Sequence, residues 1–165
     1  MRIRLLLYFL AGLAVVLLAV ALILRSQRGG HMELTGSILK VRTLSTDENS
    51  SVALIDFRAS NTADYPWMVR SVTVSTTLGE GGPVEGSTVS DVDVARLFQY
   101  FPLLGPKYND SLTTRMRIPP HQSVDRMIAA RFEIPEGRLR ARKGLLIRVE
   151  EVDGAVSEIV EDVKK

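Results

Sequence analysis

The second part of the chain repeatedly alternates apolar and polar residues with a period of two. In "SVALIDFRAS" (51–60), every second residue from Ala53 to Ala59 is apolar. A period of two predicts a β-strand that buries one face. The same alternation is present in three further stretches: "VRSVTVSTTL" (69–78), "SVDRMIAARFEI" (123–134) and "GLLIRVEEV" (144–152).

Turn-forming sequences separate these predicted strands. "STDENS", "NTADYP", "GEGGP", "IPP" and "VDG" are rich in residues that favour turns. Weaker alternation adds three strands, at 34–44, 112–118 and 155–160. Short strands joined by turns are typical of an antiparallel β-sandwich. We therefore predict a mainly β chain with one sandwich domain over 34–165.

One stretch, 90–101, departs from this alternation. Four apolar residues from Val94 to Phe101 are spaced i, i+3, i+4 and i+7, as in an amphipathic helix. Ser90 is a favourable N-cap residue, and the acids that follow it suit the start of a helix. Pro102 ends the pattern. We predict a short helix inserted between strands, with its apolar stripe packed across an open end or edge of the sandwich.

The N-terminal stretch 5–24 contains 20 consecutive residues without a charge. Twenty helical residues rise about 30 Å, which is the thickness of the hydrocarbon core of a bilayer. The stretch predicts a transmembrane helix within an N-terminal anchor (1–28), followed by a linker (29–33). A cleaved signal peptide is the alternative, because Ala19-Val20-Ala21 offers a cleavage site. Against it, the apolar run continues beyond that site to Leu24.

The charges around this stretch bear on orientation and on partners. Of the 21 Lys and Arg residues, four lie in the first 28, which leaves 17 against 19 acidic residues from Gly29 onward. This balance disfavours a nucleic-acid binder. Arg2 and Arg4 favour a cytoplasmic N-terminus and Arg25 and Arg28 oppose it. We expect a single-pass protein of the cell membrane with its domain on the periplasmic or extracellular side.

Two segments of the domain are similar to a known family. "RASNTADYPWMVRSVTV" (58–74) and "RIPPHQSVDRMIAARFEIP" (117–135) resemble the late-embryogenesis-abundant domain, also called the water-stress and hypersensitive-response domain. The resemblance implies an immunoglobulin-like or fibronectin-like sandwich behind a membrane anchor. It places Asn61 in a turn between strands, and Pro119 and Pro120 before a later strand. The family has Pro after that Asn, whereas threonine follows here. The whole chain also resembles uncharacterised bacterial single-pass anchored proteins.

Two surfaces are candidates for binding. "RLFQYFPLLGPKYND" (96–110) holds four of the ten aromatic residues. Its side chains either cover the core or leave an accessible binding patch, and the patch would consist of Tyr100, Leu103, Leu104 and Tyr108. "RLRARK" (138–143) is either a solvated connection or a contact for anionic lipid. The lipid contact would consist of Arg138, Arg140, Arg142 and Lys143.

Few residues of the domain are suited to catalysis or metal binding. His121 is the one plausible general base, with Ser123 or a nearby Asp, but no nucleophile motif accompanies it. The chain has no cysteine, which excludes thiolate chemistry. Asp91 and Asp93 lack the further ligands that calcium requires and are interpreted as helix-start acids. In the predicted turn "DYPW" (64–67), Tyr65 and Trp67 either plug one end of the sandwich or mark a contact site, and we expect them to plug it. We predict no metal and no cofactor.

These features predict a non-catalytic accessory or binding module, held at the membrane and engaging a protein or lipid partner. One alternative is a carrier of lipid or another apolar ligand, which would need an apolar cavity between the sandwich and its helix. A third hypothesis is an envelope hydrolase that uses His121. The sequence does not name the partner.

Overall fold

The chain divides into two units, Met1–Met32 and Glu33–Lys165. The computed structural model describes residues 12–20, 22, 34–79 and 81–161. Of the predicted transmembrane stretch 5–24, residues 12–20 and 22 are described and helical, and the remainder lies outside the described residues, as does the predicted linker 29–33. Among the described residues, no helix has both the length and the apolar character needed to cross a bilayer.

The described residues of the second unit contain eight strands that pair antiparallel to one another. The order across the sheet is β1-β2-β6-β4-β3-β7-β8, and β5 pairs with β3. The strands are β1 (Thr35–Ser45), β2 (Ser51–Ser60), β3 (Trp67–Thr77), β4 (Pro83–Thr88), β5 (Arg117–Ile118), β6 (Ser123–Phe132), β7 (Gly144–Glu151) and β8 (Val156–Val160). The predicted mainly β, antiparallel fold is confirmed.

Strand β4 carries the sheet from one layer to the other. Its first part pairs with β3, as far as Gly86, and its last two residues pair with β6. Gly86 lies at the crossing, where a Cβ atom would be 2.7 Å from the ring of Phe132, so a larger residue is disfavoured there. The outermost strands then approach each other, and the Leu34 N–H donates a hydrogen bond to Ser157 Oγ at 2.7 Å. The sheet is therefore curled around its own interior.

The interior is one continuous apolar core. The alternating faces predicted for 51–60, 123–134 and 144–152 all point into it, and these predictions are confirmed. Trp67 is fully buried there, as predicted. The core residues are Leu34, Ala53, Ile55, Phe57, Ala59, Trp67, Val69, Val74, Leu78, Ile118, Ile128, Ala130, Phe132, Ile134, Leu139, Leu145, Ile147, Val149 and Ile159.

A second, smaller cluster lies on the outer face of the same sheet. It joins Val52 and Leu54 of β2, Met127 and Ala129 of β6, and two residues of the inserted segment, Val94 and Leu104. Strand β2 is consequently buried on both faces over its first seven residues. The prediction of a half-buried strand was wrong for this reason: a segment later in the chain covers the outer face.

Three local predictions also need correction. The stretch 112–118 contains only the two-residue strand β5, because a turn at 114–115 interrupts it and Arg115 adopts a positive φ of 65°. Strand β4 was not predicted. The stretch 138–143, interpreted as a solvated connection or a lipid contact, begins within a short helix, α2 (Glu136–Arg140), whose Leu139 enters the core.

Candidate binding surface

The inserted segment leaves the sheet and returns to it beside the same strand. The N–H of Val89 donates to the carbonyl of Ala129, and the N–H of Leu112 donates to that of Met127, both at 2.8 Å. Between these points lie the helix α1 (Asp91–Tyr100) and a 3₁₀ turn (Pro102–Leu104). Because both ends of the segment are fixed to β6, it is held over the outer face of the sheet.

The helix begins directly after Ser90, the predicted N-cap residue. The Ser90 hydroxyl accepts a hydrogen bond from the N–H of Asp93 at 3.2 Å, which satisfies a donor that has no partner within the helix. The helix ends before Pro102, also as predicted. Val94 is buried, but Phe101 is exposed, because the chain has left helical geometry at that position. The predicted stripe therefore stops one turn earlier than the spacing indicated.

The four residues of the predicted patch do not behave alike. Tyr100 is 71% exposed, Tyr108 is 58% exposed and Leu103 is fully exposed. Leu104 is only 6% exposed and belongs to the outer cluster. Its inclusion in the patch was wrong, since the 3₁₀ turn directs neighbouring side chains in different directions. We refer to residues 100–108 as the aromatic loop.

Arg42 of β1 connects the aromatic loop to the sheet. Its Nη1 donates to the carbonyl oxygens of Leu104 and Pro106, both at 2.9 Å. Its Nη2 donates to Oδ2 of Asp56 at 2.8 Å, and Asn109 Nδ2 donates to Oδ1 of the same carboxylate at 2.8 Å. The side chains of Arg42 and Asp56 are only 9% and 4% exposed. The buried ion pair between β1 and β2 is therefore also hydrogen-bonded to Leu104, Pro106 and Asn109, so it connects both strands to residues 104–109.

The ring of Tyr108 lies beside two cations. The Nζ of Lys40 is 4.8 Å from the ring centroid, and the Arg42 guanidinium carbon is 5.2 Å from it. Both distances are within the range of cation–π attraction. Strand β1 is irregular here, and the shift in pairing between Ile38 and Lys40 leaves Leu39 unpaired and exposed. A shallow depression of about 230 Å³ is lined by Leu39, Lys40, Asp56, Tyr108 and Asn109.

Asp91 closes the base of the segment. It accepts hydrogen bonds from the Ser111 hydroxyl and from Lys107 Nζ, the latter at 3.2 Å. The Ser111 hydrogen bond and the charge of Lys107 hold the pKa of Asp91 below its ordinary value of 3.8. The Ser90 hydroxyl donates a hydrogen bond to Asp93 Oδ2 at 2.7 Å, and Asp93 also pairs with Arg96. Among the described residues, no three His, Asp or Glu side chains form a group that could hold a metal ion.

The predicted basic contact is divided by the structure. Arg142 forms a two-pronged ion pair with Glu161 and is largely buried, so it contributes to the fold. Arg140 pairs with Glu136 at 2.8 Å. Arg138 and Lys143 are exposed. Of the four residues assigned to an anionic-lipid contact, two are therefore engaged within the chain.

The residues considered for catalysis are brought together only in part. His121 Nε2 lies 2.9 Å from Asp64 Oδ1, and both side chains are largely exposed. Ser123 instead shares a hydrogen bond of 2.6 Å with Ser60. The histidine thus has a carboxylate partner, while the proposed nucleophile is engaged elsewhere.

Asn61 is a structural centre of the neighbouring turn. It follows β2 and is buried, and its amide donates to the carbonyl oxygens of Tyr65, Ile118 and Pro119. The side-chain oxygen Oδ1 of Asn61 accepts a hydrogen bond from the N–H of Ala63. One side chain therefore joins the turn after β2 to the proline-bearing segment that precedes β6.

Sequence reasoning missed the residues that fix the aromatic loop, Arg42, Asp56 and Asn109, and also Leu39, which lines the depression beside Tyr108. One signal was available, since Asp56 lies within the otherwise apolar run "VALIDF". An acid in such a run needs a buried partner. The sequence has no feature that identifies Arg42 as that partner.

Comparisons with known proteins give one structural neighbour. No protein-family model and no curated protein matches the chain. An uncharacterised β-sandwich protein from Clostridium difficile 630 is similar over 80% of this chain and 86% of its own, with 11% identity and a TM-score of 0.42. The resemblance to the late-embryogenesis-abundant domain stays a prediction.

Proposed function

We propose that the chain is a non-catalytic binding module, held at the cell membrane by its N-terminal segment, that engages a protein or lipid partner through the aromatic loop. The observation that carries the proposal is the exposure of Tyr100, Leu103 and Tyr108 on a segment fixed by a buried ion pair. Large apolar side chains grouped at a surface are typical of interaction sites. A rigid support keeps them presented, which lowers the entropy lost on binding.

The anchor and its orientation belong to the same proposal. The uncharged stretch 5–24 supports a single-pass anchor, with the domain on the periplasmic or extracellular side. The immunoglobulin-like character of the sandwich also belongs here. It is supported by Asn61, which lies in the turn where the family resemblance places it, and by the pair Pro119 and Pro120, which precedes β6.

Carriage of an apolar ligand has less support. A depression of about 210 Å³ lies where the helix begins, beside Val89, Asp91 and Ile128. This volume is below the roughly 300–1,000 Å³ that is usual for small-molecule pockets. A depression of about 460 Å³ near β4 is lined by Thr73, Glu85, Ser87 and Thr88 among others, so its wall suits an apolar ligand poorly.

The test is site-specific photocrosslinking in intact cells. A photoreactive residue replaces Leu103 in one variant and Arg138 in the other. Both positions are exposed, and only the first lies in the aromatic loop. We expect intermolecular adducts, to protein or to lipid, from position 103 and not from position 138. Crosslinks confined to the chain itself at position 103 would overturn the proposal.

A further inference from the structure

We propose that the partner of the aromatic loop is a lipid bilayer, and that the tip of the loop, residues 101–106, enters the bilayer interface. This inference rests on the proposed function, because it names the partner of the same surface. It assigns insertion to the tip itself and not to the basic stretch 138–143. Three features support it: the side chains of the loop, its backbone and the exposed cation beside it.

The side chains have the distribution of an interfacial wedge. Leu103 is fully exposed at the apex, and Phe101 beside it is also exposed. Tyr100 and Tyr108 flank the tip on either side along the chain, with their rings accessible. Tyrosine favours the level of the lipid headgroups, where the ring and the hydroxyl meet different surroundings, while leucine and phenylalanine favour the acyl boundary below it.

The backbone of the tip already has most of its hydrogen bonds satisfied. Pro102 and Pro106 have no N–H. Of the four remaining N–H groups in residues 101–106, those of Phe101, Leu104 and Gly105 donate to carbonyls within the segment at 2.9–3.0 Å. The carbonyls of Leu104 and Pro106 accept from Arg42.

The internal hydrogen bonding of the tip favours a bilayer over a protein as its partner. Unsatisfied backbone groups are costly where water is scarce, so a loop that enters lipid must satisfy them internally. A protein interface instead uses about one hydrogen bond per 100–200 Å² of buried surface. The tip offers few free donors and acceptors for such bonds, and its exposed surface consists mainly of hydrocarbon.

One exposed cation lies beside the loop. Lys40 is exposed next to Tyr108, whereas Lys107, which precedes that tyrosine, is paired with Asp91. Long basic side chains can extend from an apolar contact toward the headgroups. Leu39, exposed at the irregularity of β1, adds apolar surface next to Tyr108. The surface thus combines an apolar tip with an exposed lysine at its margin.

The test uses the full chain in proteoliposomes of phosphatidylcholine and phosphatidylglycerol. Tryptophan is introduced by Leu103→Trp in one variant and by Val152→Trp in the other. Both residues are exposed and apolar, and Val152 lies in the turn between β7 and β8, outside the aromatic loop. The wild-type chain, whose Trp67 is buried, supplies the background emission. Brominated phosphatidylcholine then replaces the ordinary lipid stepwise, since bromine quenches tryptophan on contact.

We expect the emission of the Leu103→Trp variant to shift to shorter wavelength and to lose intensity as brominated lipid increases. The Val152→Trp variant should keep a water-like emission maximum and lose no more intensity than the wild type. Water-like, unquenched emission from position 103 would overturn the insertion. If the crosslink at position 103 then yields a protein adduct, the binding module stands and only the lipid partner falls. If that crosslink yields nothing outside the chain, both proposals fall.

Discussion

The two apolar clusters of the domain are assembled on opposite faces of the same strands, but by different means. Inside the curled sheet, Ile55 and Phe57 of β2 pack among 19 buried apolar residues. On the outside, Leu54 packs in a cluster of six buried residues, with the buried ion pair of Arg42 and Asp56 at its side. The inner core is held by apolar contacts along the strands, whereas the outer cluster also depends on a polar clamp.

Because of this difference, the stability of the domain and the positioning of the aromatic loop depend on different residues. Loss of an inner residue removes contacts shared by most strands, so it should destabilise the whole domain. Loss of the clamp removes contacts between the sheet and residues 104–109, so it should release the aromatic loop before the sheet unfolds. The binding surface can therefore be weakened without loss of the fold, which the following predictions test.

The largest effect is expected for Phe57→Ala. Phe57 is fully buried in the inner core, and removal of a buried aromatic ring lowers the free energy of unfolding by about 3–5 kcal/mol. Denaturant unfolding followed by circular dichroism measures it. The comparison variant is Val94→Ala in the outer cluster, where two lost methyl groups correspond to roughly 1.5–2 kcal/mol. Equal losses from both substitutions would contradict the distinction between the two clusters.

The next effect concerns the clamp. Arg42→Ala leaves Asp56 buried without its cation, and removal of one partner of a buried ion pair costs about 3–5 kcal/mol. Hydrogen exchange should rise first in 91–111. The matched control is Arg58→Ala, because Arg58 of β2 also pairs with an aspartate of a neighbouring strand, Asp125 of β6, but at an exposed position, where such pairs contribute about 0–1 kcal/mol.

A double replacement sharpens this prediction. Arg42→Met combined with Asp56→Leu removes both charges, and well-packed apolar pairs often replace buried ion pairs without loss of stability. We expect the double variant to be more stable than Arg42→Ala, while the hydrogen bonds to the carbonyls of Leu104 and Pro106 stay absent. Exchange in 100–108 should therefore remain raised. Restored protection of the loop in the double variant would show that Arg42 does not position it.

The inner core was accessible to prediction from the sequence because the information is local. Alternation along β2, β6 and β7 identifies the residues of the interior face without knowledge of the other strands. The helix α1 was likewise predicted from the spacing of Val94 and Leu97 and from the cap at Ser90. Each of these predictions depends on residues within one segment.

The outer surface was not accessible because its determinants are distant in the chain. Arg42 meets Asp56, Leu104 and Asn109 only after β1 and β2 have paired and the inserted segment has folded back. The opposite exposures of Leu103 and Leu104 follow from the 3₁₀ turn, which a sequence of two adjacent leucines does not specify. Arg142 meets Glu161 only once β7 and β8 are paired.

A smaller effect is expected at the helix cap. Ser90→Ala removes the hydroxyl that accepts from Asp93 N–H, and loss of such a cap costs about 0.5–2 kcal/mol. Because the helix belongs to the outer cluster, amide exchange should rise in 91–100 more than in β7. Ser90→Thr is the control, since threonine keeps the hydroxyl. Similar losses in both variants would mean that the cap contributes little.

The smallest effect is a pH dependence at the base of the inserted segment. The pKa of Asp91 is held below 3.8 by Ser111 and Lys107, so the folded protein releases this proton more readily than the unfolded chain. The resulting stability is fully present above pH 3.8 and is lost as the pH falls through the lower, folded-state value. The carboxylate is exposed, so the contribution should stay below about 1 kcal/mol.

This dependence is measured as the difference in unfolding free energy between the wild type and Asp91→Asn at a series of pH values. Asp47 and Asp125 also have lowered pKa values, owing mainly to hydrogen bonds from Ser50 and Arg58. Both variants retain them, so their contribution cancels in the difference. We expect the wild type to be the more stable above pH 3.8 and the gap to narrow in stronger acid. A gap that is constant with pH would show that Lys107 and Ser111 do not stabilise the charge of Asp91.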